Sequence, residues 1–329
     1  MDLVLVHLGP AKAPHVIGNI KHLKREFPES RITLISTEDE HPKIKSIQGI
    51  EHFKYVRAES DRQHLESLSH NKIFRNGFWI HSLERIYALN QWSLSQSIGR
   101  FLHIESDVLV MPTFPLKEIH EFDKLHWTKF NSERDVATFI FSPNKKEFDW
   151  LTNEVKQEVI TDASTTDMSA LSKIAKKNPE RINYFPSNPN KEDSAGAGFY
   201  DPAAFGMWLT GQDPRNHKGL LIKYCNLSES EIQPEQFNFK FDGKRLIITK
   251  NVKPYLLHNL HIHSKRRIYF TKWWGMALRI DALLSKKRIF HSTISPNATI
   301  SIIMDFHLRH PDLKEKKEIV LRLIGMKAK

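Results

Sequence analysis

The 329-residue chain is long enough to bury a large core, and its composition, 40% hydrophobic and 26% charged, is typical of a globular protein. Its one cysteine, Cys225, excludes an intrachain disulfide framework and a cysteine-based zinc cluster, and a reducing compartment is the simpler inference. The sequence has no secretory signal pattern after Met1 and no run of 18 apolar residues, so we expect neither secretion nor a transmembrane helix.

The net charge of +11 is unevenly distributed. Residues 265–329 carry 15 Lys or Arg and 5 Asp or Glu, so the preceding part is close to neutral. Such a basic segment can meet an anionic membrane surface, nucleic acid or an acidic glycan, or it can be a solvated helical face. We therefore predict a domain over residues 1–264 and a basic helical extension over 265–329.

The first third of the chain predicts strands that alternate with helices. Apolar runs of strand length alternate with helical spacing, and Pro28 ends the first helix. This alternation favours parallel strands joined by right-handed crossovers. The dinucleotide fingerprint and the P-loop are both missing from it. The predicted strands cover residues 3–8, 31–36 and 52–58, the predicted helices cover 14–27 and 78–94, and 60–76 is predicted to be irregular.

An acidic triplet, Glu105-Ser106-Asp107, interrupts the next apolar run. Residues 101–104 and 108–110 flank it, which predicts a buried strand that ends in an acidic turn and restarts. A buried carboxylate needs a cation, a metal or hydrogen-bond donors, and ligands of open α/β sheets bind at the carboxyl ends of strands. The bland alternative is that the two acids cap the next element or pair with a surface lysine.

The rest of the chain predicts shorter elements. The predicted strands cover 136–141, 181–185, 237–241, 245–249 and 255–264, and the predicted helices cover 145–159, 167–177 and 203–209. His261 and His263 alternate along the last strand and so share one face. They can bind a metal, or they can only hydrogen-bond at a polar edge.

Residues 268–290 have helical spacing, with Trp273 and Trp274 on the apolar stripe and basic residues at both ends. Such a helix can lie in a membrane interface, or its stripe can pack on the rest of the protein. We favour packing, and we expect any membrane contact through residues 265–290 to be peripheral.

Three stretches carry a family resemblance: FWIHSLERIYALNQW with RFLHIESDVLV, then YDPAAFGMWLTGQDPRN, then LHNLHIHSK. They resemble a group of bacterial and viral GT-A nucleotide-sugar glycosyltransferases, over about residues 1–267. The resemblance implies an α/β fold of the GT-A, Rossmann-like kind, which is a mixed, mainly parallel central sheet flanked by helices.

The same resemblance implies a donor site. Glu105 and Asp107 match the D-x-D signature, which holds Mn²⁺ or Mg²⁺ on the donor diphosphate, and His263 matches a histidine that completes the metal shell. Glu in the first place leaves catalysis without a cation as an alternative. Lys265 matches a lysine that contacts the diphosphate. The other implied nucleotide-sugar contacts are Leu8, Gly9, Pro10, Thr37, Asp39 and Arg85.

Some of these side chains also have plainer interpretations. Arg85 lies among apolar residues of its helix and is more often a snorkelling surface arginine, although a helix beneath a phosphate site can present it inward. Asn19, a weaker donor-side candidate, is expected on a helix surface. The acceptor-side candidates for catalysis are Asp167 and Asp201, but Asp167 can equally be a helix N-cap, and Asp201 can form an Asx turn before a proline.

The sequence thus predicts a cytoplasmic glycosyltransferase of the hexosyltransferase kind, active in surface polysaccharide synthesis. The donor is a nucleoside diphosphate sugar, with a UDP-sugar favoured, and the acceptor is a glycan or a lipid-linked glycan. Retention or inversion and the oligomeric state are left open. The alternatives are a sugar nucleotidyltransferase, which usually carries a glycine-rich phosphate loop, and a nucleic-acid-binding protein that uses the basic tail and leaves the acidic turn unexplained. We expect no nucleic-acid partner.

Overall fold

A computed structural model describes residues 1–8, 14–37, 47–68, 77–96, 98–189, 198–211, 230–263, 265, 267–272 and 274–285. Two compact units divide the chain. The first consists of residues 1–108 and 114–192, and the second of residues 109–113 and 193–329. The boundary after residue 264, drawn from charge alone, stays a prediction.

The first unit is built on a seven-stranded sheet with the order β3-β2-β1-β4-β7-β6-β8. Strands β3, β2, β1 and β4 are parallel, as are β6 and β8, whereas β7 is antiparallel to both of its neighbours. The predicted mixed, mainly parallel sheet is confirmed. Its strands are β1 (Asp2–His7), β2 (Ile32–Ser36), β3 (Ile50–Lys54), β4 (Phe101–Ile104), β6 (Leu125–Lys129), β7 (Asp135–Ser142) and β8 (Ile182–Phe185).

Helices pack on this sheet, as predicted. The first and third contact β2, and the last two contact β7. Residues 60–76 were predicted to be irregular, but a polar helix that buries only Asp61 and Leu65 covers part of them. The helices are α1 (Pro14–Glu26), α2 (Glu59–Glu66), α3 (Phe78–Ser95), α4 (Leu116–His120), α5 (Lys145–Thr161) and α6 (Asp167–Lys177).

The parallel pairing of β1, β2 and β4 places their carboxyl ends at one edge of the sheet. The strand after α3 ends at Ile104, and the chain resumes as β5 (Val108–Val110). The acidic triplet is the turn between the two, as predicted. It therefore lies at the edge where ligands of α/β sheets bind.

The second unit contains a three-stranded antiparallel sheet, order β11-β10-β9, and a two-stranded pairing of β12 with β5. The single strand predicted over 255–264 is wrong, because the chain changes sheets at His258. At this point the N–H of His258 donates to Phe199 O at 2.9 Å, and its C=O accepts from the N–H of Met111, the residue after β5, at 2.8 Å. The elements are β9 (Asn238–Phe241), β10 (Leu246–Lys250), β11 (Lys253–Leu257), β12 (Asn259–His261), α7 (Ala204–Thr210) and α8 (Trp274–Ser285).

The described part of the basic extension packs within this second unit. The ring of Trp274, at the start of α8, lies 5.4 Å from that of Phe241 in β9, and Ala277 and Leu278 are buried. This supports packing rather than a membrane-interface helix for residues 274–278. Among the described residues, no helix combines the length and the apolar character that a membrane span requires.

Asp135 gives the first unit a pH-dependent stability. Burial raises the pKa of its carboxyl to about 6, although Trp127 Nε1 and Tyr184 Oη donate to Oδ2 at 2.8 and 3.1 Å. Because the pKa is higher in the folded than in the unfolded chain, this contribution to stability is present below about pH 4 and is lost as the pH rises through about 6.

Asp135→Asn removes that charge and keeps an oxygen acceptor. Relative to wild type, its free energy of unfolding should rise by up to about 3 kcal/mol between about pH 4 and pH 7, and urea denaturation at several pH values measures this. A difference that does not change with pH would show that Asp135 stays ionised throughout.

Candidate functional site

The acidic turn is held in place by its backbone and by one buried amide. Glu105 N–H donates to Thr138 O at 3.1 Å, and Val108 N–H donates to Glu105 O at 3.0 Å. Asn19 Nδ2 donates to Ser106 O at 3.1 Å and to Val108 O at 3.0 Å. The turn is thus fixed before any ligand binds.

Asn19 is fully buried, so its expected position on a helix surface is wrong. The sequence held a usable signal: Asn19 lies three residues after Val16 and four before Leu23, on the apolar face of α1. A polar amide on such a face needs a partner, and this one binds the functional turn.

Arg85 faces inward from α3, and its side chain is 12% exposed, so the snorkelling alternative is wrong. Its Nη1 donates to Glu105 Oε1, and its Nη2 donates to Asp167 Oδ2 at 2.8 Å. Burial opposes the charge, but attraction by Glu105 and Asp167 outweighs it, so the pKa of Arg85 is raised. One guanidinium therefore joins the acidic turn to α6.

Asp167 is the first residue of α6, and it is not the N-cap. That role belongs to Thr166, which forms a capping box with Ser169. Burial raises the pKa of Asp167, and the charge of Arg85 opposes the shift. The negative charge of the buried Asp167 carboxylate is therefore compensated by the guanidinium of Arg85.

In the second unit, Asp201 accepts four backbone hydrogen bonds. Its Oδ1 accepts from Ala203 and Phe205 N–H at 3.0 and 2.9 Å, and its Oδ2 accepts from Gly206 and His261 N–H at 2.7 and 3.0 Å. The carboxylate is fully buried, which raises its pKa, while the N–H of His261 opposes the shift. Asp201 thus ties the start of α7 to the end of β12, which is more than an Asx turn.

Two backbone features explain the YDPAAFG stretch around Asp201. A Cβ at Gly206 would lie 2.1 Å from the C=O oxygen of His261, so only glycine permits this approach. Ala203 has φ 115°, a region that alanine rarely adopts, and its N–H is bound by Asp201. The backbone of His261 is therefore set by close packing and by a carboxylate.

A tight turn follows β12. His263 N–H donates to His261 O at 3.0 Å, Lys265 N–H donates to Ile262 O at 2.8 Å, and Lys265 has φ 49°. The rings of His261 and His263 stack, with centroids 4.3 Å apart. The predicted histidine and lysine thus lie in one compact segment.

The first unit offers two carboxylates to a metal ion, those of Glu105 and Asp107, which are both half-buried in the acidic turn. The second unit offers the imidazoles of His261 and His263, whose rings stack at the end of β12. Carboxylate oxygens suit Mg²⁺ and Mn²⁺, and an imidazole nitrogen shifts the preference toward Mn²⁺. The residues present therefore fit a divalent cation.

The other predicted donor contacts are only partly described. Leu8 is half-buried after β1, and Thr37 is exposed after β2, so both follow carboxyl ends of parallel strands. Gly9, Pro10 and Asp39 lie outside the described residues. Their role as nucleotide-sugar contacts stays a prediction.

No protein-family profile and no curated protein matches the sequence. Among solved structures, the galactosyltransferase LgtC with donor and acceptor sugar analogues is similar at a TM-score of 0.41 and 13% identity, over 56% of this chain and 73% of LgtC. The glycosyltransferase GlyE of Streptococcus pneumoniae TIGR4 is similar at a TM-score of 0.40 and 12% identity, over 56% of this chain and 44% of GlyE. A glycosyltransferase involved in glycosylation of the major capsid of PBCV-1 is similar at a TM-score of 0.34 and 12% identity, over 56% of this chain and 79% of that protein.

Proposed function

We propose that the chain is a glycosyltransferase that moves a sugar from a nucleoside diphosphate sugar, with a UDP-sugar favoured, to a glycan or a lipid-linked acceptor. The observation that carries this proposal is the pair of half-buried carboxylates, Glu105 and Asp107, at the carboxyl end of β4. Oxygen-rich ligands at this edge of an α/β sheet suit a cation that also binds phosphate oxygens. In this proposal the protein acts in surface polysaccharide synthesis in the cytoplasm. Any peripheral membrane contact through 265–290 would not involve Trp274, Ala277 and Leu278, which are packed within the second unit.

Glu105 and Asp107 would hold the cation, together with a histidine. When bound, Mn²⁺ or Mg²⁺ neutralises the negative charge that develops on the departing diphosphate. The histidine would be His263, as the sequence predicts, or His261, whose ring stacks on it. Lys265 follows within four residues and would contribute its ammonium to the phosphates.

The chain's other residues orient these groups in the proposal. Asn19 fixes the acidic turn through two carbonyls. Asp201 acts as a positioning residue, since both of its oxygens accept backbone N–H groups and one of those belongs to His261. Asp167 remains the proposed acceptor-side carboxylate, which interacts with Arg85. Retention and inversion are both compatible with this set.

A donor screen tests the proposal. Thermal shift and hydrolysis are measured with UDP-, GDP-, CMP- and dTDP-sugars, with and without Mn²⁺, and the matching nucleosides serve as controls. We expect nucleotide sugars of one base to raise Tm, because they bind the folded protein, and we expect their sugar to be released only when Mn²⁺ is present. Stabilisation by none of these nucleotides would contradict the proposal. Release of pyrophosphate from a nucleoside triphosphate and a sugar phosphate would instead identify a nucleotidyltransferase.

A further inference from the structure

Arg85 brings a fixed positive charge next to the acidic turn. Its side chain is 12% exposed, and those of Glu105 and Asp167 are 18% and 6% exposed. The two carboxylates accept from different guanidinium nitrogens, so the arginine bridges them. In such partly dry surroundings, charges interact far more strongly than in water.

Three carboxylates lie near the guanidinium of Arg85. Glu105 and Asp167 accept its N–H groups, and Asp107 lies in the same turn as Glu105. The charge of Asp107 also favours the charged form of Arg85 and so contributes to its raised pKa. A resident guanidinium and an incoming Mn²⁺ would therefore share the same carboxylates.

We propose, on the basis of the proposed function, that Arg85 is a resident counter-ion that competes with the divalent cation for Glu105. It compensates Glu105 and Asp167 when the ion is absent, and so lowers the affinity of the protein alone for Mn²⁺. Two carboxylates and one imidazole also leave coordination positions that water or diphosphate oxygens must fill. The ion then binds well only together with the nucleoside diphosphate.

The test is Mn²⁺ binding by the full chain without nucleotide, measured from the EPR signal of free Mn²⁺. Arg85→Gln, which keeps amide donors and loses the charge, should bind Mn²⁺ at least about tenfold more tightly than wild type. Arg85→Lys keeps the charge and should stay within about threefold of wild type. In Asp167→Asn, Glu105 is the one remaining carboxylate partner of the two that Arg85 bridges, so this variant should bind Mn²⁺ roughly two- to fivefold more weakly than wild type.

Circular dichroism confirms that each variant folds. If Arg85→Gln does not fold, the Mn²⁺ affinity of Asp167→Asn is the deciding measurement. An affinity of Asp167→Asn equal to or above that of wild type overturns the proposal. Equal or weaker Mn²⁺ binding by folded Arg85→Gln also overturns it, as does the lack of binding by every variant. Tighter binding by Arg85→Gln in a protein that hydrolyses no nucleotide sugar supports the counter-ion role and contradicts the glycosyltransferase proposal.

Discussion

Asp201→Ala is expected to lower the free energy of unfolding by about 4 kcal/mol or more. The substitution leaves four buried backbone N–H groups without their acceptor, and each such group costs about 1–3 kcal/mol before relaxation. A loss of this size is a large part of the total stability of an ordinary domain. Urea denaturation followed by tryptophan fluorescence and circular dichroism measures it.

Asp242→Ala is the matched control. Asp242 also accepts two backbone N–H groups, from Lys244 and Arg245, but in an exposed hairpin turn where water can replace it. We expect a much smaller loss of stability for this variant. Equal losses for the two variants would show that burial of the Asp201 cluster does not matter, and that Asp201 does not hold the backbone of His261.

The second large effect is expected on activity. Asp107→Ala should lower Mn²⁺-dependent turnover of the selected nucleotide sugar by about 100-fold or more, because a cation that neutralises a leaving diphosphate contributes several kcal/mol to the transition state. Its free energy of unfolding should change little, since Asp107 is only half-buried. Steady-state kinetics together with a denaturation curve separates the two effects.

Asp123→Ala, an exposed aspartate outside the acidic turn, controls for the loss of one surface charge. It should leave turnover unchanged. Retained turnover in Asp107→Ala would mean that the wrong carboxylate has been identified, and a parallel collapse of stability would mean that Asp107 is mainly structural.

Much of the fold could be predicted from the periodicity of apolar residues. Alternating apolar runs and helical spacing gave β1, α1, β2 and α3 within a few residues, because each of these elements buries a continuous apolar face. Strand β6 was missed: in LHWTK the apolar residues are few, and its burial comes from pairing with β7 and β8. The change of sheet at His258 could not be predicted either, because the backbone partners of His258, Met111 and Phe199, are distant in the sequence.

The site was predictable where one short motif carried the chemistry. The acidic turn was found because two carboxylates interrupt a buried strand. The contacts that support the acidic turn were harder to predict, because Arg85 binds partners 20 and 82 residues away, and Asn19 binds a carbonyl 89 residues away. Local pattern indicates that such polar residues lie on apolar faces, but only the folded chain shows which groups they bind.

Anomalous scattering from manganese tests the central claim most directly. Crystals of the full chain are grown with Mn²⁺ and the nucleoside diphosphate that the donor screen selects. The account predicts a manganese peak about 2.0–2.6 Å from carboxylate oxygens of Glu105 and Asp107 and from a ring nitrogen of His261 or His263, with diphosphate oxygens among its other ligands. A peak elsewhere, or a diphosphate bound away from the acidic turn, would contradict it.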